Sequence, residues 1–133
     1  MVERRRRKRL PWISMQARVR VKKSLFSSDW VSVEVADYNS LGMGIRPDQA
    51  LAKSLEKQET IQISLRLETE VGEIVADGVA AKVRHVAEEG GASFVGLEFE
   101  QGVKASLKES LERIESILNR HQQLSDRISA DSK

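Results

Sequence analysis

The chain has 133 residues, 40% hydrophobic and 32% charged, enough for one modest core and too apolar for wholesale disorder. No apolar run approaches the roughly 18 residues of a membrane span, no apolar segment follows the charged amino terminus as a secretory signal requires, and the lack of cysteine excludes disulfides, thiol catalysis and thiolate metal sites. Net charge is +2, but residues 1–23 hold ten Lys/Arg against Glu3 alone (+9), while residues 24–133 hold twelve against nineteen acids (−7). A cytoplasmic protein that meets anions with its first residues is expected, without the broad basic face of a DNA-binding protein and without membrane insertion.

Residues 1–12 form a basic arm with no apolar periodicity, closed off from any helix by Pro11. Residues 13–102 carry strand patterns. Ala17, Val19 and Val21 alternate with Arg18, Arg20 and Lys22, and Val31, Val33 and Val35 alternate with Ser32 and Glu34. An interruption follows, VADYNSLGMGI at 35–45, after which Met43 and Ile45 restart the alternation until Pro47. Residues 48–58 suit a short helix with Asp48 as its N-cap.

Ile61, Ile63, Leu65 and Leu67 mark a fourth strand. Residues 74–86 make a fifth and 93–100 a sixth, joined by a hairpin at EEGG, 88–91. Six short-linked strands predict a small antiparallel barrel, which leaves no open edge. From 103 to 128 the period becomes helical, through Val103, Leu107, Leu111, Ile114, Ile117 and Leu118, and residues 129–133 read as a frayed tail. At about 39 Å this helix outruns a barrel of this size, so its second half projects or pairs with another copy.

Chemistry is sparse. His85 and His121 lack ligand-spaced partners, no phosphate-cradling glycine motif is present, and no enzyme activity or resident cofactor is expected. Two features remain. Arginine grips phosphate bidentately and stacks on bases, so the run Arg4–Arg9 suits a nucleotide, although a solvated arm has the same composition. Asp37, Asn39 and Gly42 read either as a plain turn, with Gly42 at positive φ, or as a ligand site. There Asp37 accepts from a guanine edge, Asn39 both donates and accepts, and Gly42 admits close approach.

The two together carry a resemblance. ERRRRKRLP, with Arg5 and Arg9 in R-x-x-x-R, precedes Asp37-Tyr38-Asn39-Ser40-Leu41-Gly42 by about thirty residues, and FVGLEF follows at 94–99. Over residues 3–100 this is similar to the PilZ family, which binds the bacterial messenger cyclic di-GMP.

The resemblance implies a mainly β fold, a six-stranded antiparallel PilZ-type barrel with a carboxy-terminal helix, in a receptor rather than an enzyme. It implies that Arg5 and Arg9 contact the phosphates and guanine faces, and that Asp37 reads a guanine edge. Arg4 resembles the extra arginine of members that hold two messenger molecules. Asn39 stands where the family has serine. Downstream output would pass to a protein partner, and the helix could support a homo-oligomer. Two alternatives stay open: a PilZ-fold interaction module that has lost the ligand, in motility or pilus assembly, and an RNA-binding barrel using the arm. The second has only six aromatics in the whole chain to stack bases.

Overall fold

Each of six strands finds two antiparallel neighbours, and the order β1-β2-β3-β6-β5-β4 closes on itself. The computed structural model describes residues 13–22, 28–100 and 104–131. Its elements are β1 (Ile13–Lys22), β2 (Ser28–Asn39), β3 (Gly42–Arg46), α1 (Gln49–Glu56), β4 (Thr60–Thr69), β5 (Gly72–Glu89), β6 (Ala92–Phe99) and α2 (Ala105–Asp131). The barrel and the carboxy-terminal helix agree with the fold expected from the pattern.

Val19, Ile45, Ile63, Leu65 and Leu67, which the alternation marks as inward, are fully buried in one core together with Val79 and Val95. Burial of such side chains contributes about 1.5–3 kcal/mol each. Asp48 caps α1 as expected, its carboxylate accepting from the Leu51 amide at 2.8 Å, and Ala52 and Leu55 carry that helix into the core. The β5–β6 hairpin turns through Gly90 and Gly91, at φ of 56° and 84°, a left-handed pair that glycine adopts without strain.

Two boundaries differ from the sequence reading. β2 does not end at Val35 but runs to Asn39, because residues 37–39 pair with Gly42–Gly44 once a bulge has absorbed Ala36. The helix runs to Asp131, so residues 129–131 belong to it and not to a frayed tail. Apolar spacing marks the buried stripe, whereas the backbone continues until something stops it, and no Gly or Pro follows Gly102. At its other end the described helix begins at Ala105; Val103, where the spacing placed the start, lies outside the described residues.

α2 packs on β5 and β2 and sends Leu111 and Ile114 into the core, with Leu107, Ile117 and Leu118 half-buried against it. No described helix residue beyond Leu118 joins the core. Among the described residues no helix is long and apolar enough to cross a membrane.

Candidate ligand cleft on the outer barrel face

Strict alternation would send Asp37 inward. Val31, Val33 and Val35 all pack against the core, and a regular strand would put Asp37 beside them. The bulge between Val35 and Asp37 inverts the parity: Asp37 pairs with Gly44 and faces outward, and Tyr38 faces inward. A second bulge, between Val83 and His85, does the same on β5. It places His85 opposite Gly96 on the outer face and leaves Val86 opposite Val95.

The consequence is a row across four strands, Asp37–Gly44–Gly96–His85, with a carboxylate at one end, an imidazole at the other and two glycines between. The next row holds Asn39, Gly42, Glu98 and Lys82. Without side chains on the glycines the surface is concave there. A cleft of about 320 Å³ results, lined by Asp37, Asn39, Gly42, Gly44, Arg84 and Phe94 among others.

Each polar group is held. Asp37 Oδ1 accepts from the Gly44 amide at 2.8 Å, which fixes the carboxylate, and Oδ2 has no hydrogen bond among the described residues. Asn39 Oδ1 accepts from the Leu41 and Gly42 amides at 2.7 and 3.1 Å. Its acceptor is thus spent on the turn, and only the Nδ2 amino group remains to offer a ligand, a narrower role than the donor and acceptor read from the sequence.

Gly42 does not take positive φ. It is glycine because a Cβ would collide with the Leu97 carbonyl of β6. A Cβ on Gly44 would come within 2.6 Å of the Phe94 ring and 2.9 Å of Asp37 Oδ1. Arg84 reaches Glu98 at 2.8 Å on the cleft's exposed side, and that contact holds the Glu98 carboxyl below the usual range.

The same hairpin is fastened to α2. The Tyr38 hydroxyl donates to the Leu111 carbonyl at 2.8 Å, and Glu115 Oε2 accepts from the Ser40 amide at 3.0 Å. Burial first, and then the Glu115 carboxylate, push the Tyr38 phenol well above its ordinary ionisation range.

Of the residues singled out by sequence, Asp37, Asn39 and Gly42 come together in the cleft; Arg4, Arg5 and Arg9 lie outside the described residues. Phe94, Arg84, Glu98, Gly44 and Gly96 were not singled out as cleft residues. Each is an outward position on an alternating strand, and only the cross-strand register assembles them. FVGLEF, recognised as a final barrel strand, held the signal for Phe94 and Gly96. Among the described residues no cluster of three or more His, Asp or Glu could hold a metal.

The closed six-stranded order with a carboxy-terminal helix is a PilZ-type fold. In structure the chain is similar to the "PilZ domain with c-di-GMP of YcgR from Escherichia coli", with a TM-score of 0.53 and 18% identity over 94% of this chain and 98% of that one. No family model and no curated protein match the sequence.

Proposed function

We propose that this protein is a receptor for cyclic di-GMP and not an enzyme, acting in the cytoplasm. The observation that carries the reading is the Asp37 carboxylate. It is turned outward by a bulge, fixed through one oxygen, and open through the other over a glycine floor. A guanine offers an N1–H and an exocyclic amine side by side, and a fixed carboxylate complements both. The similar YcgR domain carries c-di-GMP, which supports the choice of ligand.

In this reading Arg5 and Arg9, and Arg4 before them, supply the cations that the cleft itself lacks. The messenger carries two phosphates, and within the cleft Arg84 is already paired with Glu98. Closure of the basic arm over the ligand is the signal, passed to a protein partner. The Tyr38 and Ser40 contacts give it a second route into α2. The stretch of α2 beyond Leu118 is the place for self-association. Truncation after Arg120 spares Leu111 and Ile114, so sedimentation should show a smaller assembly from a still-folded barrel.

One observation favours the alternative of an interaction module without ligand: an anion entering the cleft must compete with Glu98 for Arg84. Calorimetric titration with cyclic di-GMP, against cyclic di-AMP and GMP, decides between them. The receptor reading expects saturable binding with preference for the cyclic guanine dinucleotide; no heat with any of the three would leave the module.

A further inference from the structure

The outer face holds a second cleft of about 240 Å³, lined by Arg46, His85, Ala87 and Phe94 among others. Phe94 borders both clefts. Its ring leans over the glycine floor, close to where a Cβ of Gly44 or Gly96 would stand, with the His85 ring 6.3 Å away at a tilt of 59°. Arg46, the last residue of β3, pairs with Glu34 of β2 in the ladder, and its guanidinium makes no ion pair or hydrogen bond among the described residues.

We propose that this second cleft is a subsite for the far nucleotide of the ligand read at Asp37, with the base against the Phe94 and His85 rings and a phosphate at Arg46; the proposal rests on the receptor reading above. Three interstrand spacings separate the Asp37 end of the row from the His85 end, about 14 Å. That span suits two linked nucleotides, whereas the first cleft is at the small end of ligand pockets. Chemistry points the same way. The first cleft offers a carboxylate and an amide to a base edge, and the second offers an aromatic face and a guanidinium without a partner among the described residues, the groups that stack a base and grip a phosphate.

The test compares wild type, Arg46→Gln, Arg46→Lys and Phe94→Leu by calorimetry with cyclic di-GMP, and follows the His85 ring protons by NMR during the titration. Arg46→Gln should weaken binding about tenfold, with a shallower salt dependence. Arg46→Lys should recover the salt dependence and part of the affinity. Phe94→Leu should also weaken binding, and the His85 signals should shift on saturation. Melting curves of the variants establish that the barrel is intact.

A wild type that binds while Arg46→Gln stays within twofold of it, or whose His85 signals do not move, overturns the subsite and leaves the receptor reading standing. A wild type that binds no cyclic di-GMP overturns both.

Discussion

Asp37 faces outward only because one residue, Ala36, is left unpaired beside it. Replacing Asp37 by Ala should remove a charge-assisted contact worth about 1.5–3 kcal/mol. Affinity for cyclic di-GMP should then fall tenfold or more and the preference over cyclic di-AMP should narrow, both read by competition titration. The two neighbouring glycines should respond differently to an added methyl group. At Gly42 it meets the Leu97 backbone, which cannot step aside, so Gly42→Ala should cost about 1–3 kcal/mol in urea unfolding. At Gly44 it meets the Phe94 ring and the Asp37 carboxylate, both able to rotate. Gly44→Ala should therefore cost less stability than Gly42→Ala, about the worth of the displaced Asp37 hydrogen bond, and weaken the ligand about as much as Asp37→Ala. Equal stability losses at the two positions would contradict this distinction.

The β2–β3 hairpin and α2 act as one piece through Tyr38. Its phenol is held neutral by burial and by Glu115, so its folded ionisation lies above the unfolded value of about 10. The sign follows from proton counts. Above pH 10 the unfolded chain releases the proton while the folded one keeps it, so this contribution is whole below pH 10 and is lost as the pH climbs further. Tyr38 is the chain's single tyrosine. Between pH 9.5 and 11, wild type should lose stability faster than Tyr38→Phe, measured by urea unfolding. At pH 8 the variant should be less stable by about 0.5–1.5 kcal/mol, the worth of the lost hydrogen bond. Parallel pH profiles would mean that the phenol is not buried in solution as it is here.

At the scale of the molecule, α2 is part of the core and not an appendage. Leu111 and Ile114 are as buried as the strand residues. Leu111→Ala or Ile114→Ala should cost about 2–5 kcal/mol, and helix and barrel signals should unfold in one transition. A separate early loss of helix would show that the packing is looser than described. The receptor reading adds an expectation for the intact chain. Trypsin should cut among Arg4–Arg9 more slowly when cyclic di-GMP is saturating, and equal rates would remove arm closure from the mechanism.

The sequence alone determined the barrel, the short capped helix and the long terminal helix, because period-2 and period-3.6 burial are local properties that every inward residue repeats. It also marked Asp37, Asn39 and Gly42, since a carboxylate, an amide and glycines inside a strand pattern stand out wherever they occur. Which face those residues occupy was not legible. Alternation counted from Val31 to Val35 points Asp37 inward, and counted from Val79 to Val83 it points His85 inward as well. Two single-residue bulges reverse both. A bulge is a relation between two strands, settled by how each pairs with its neighbour, so the row joining Asp37 to His85 across Gly44 and Gly96 exists only once β2, β3, β6 and β5 are in register.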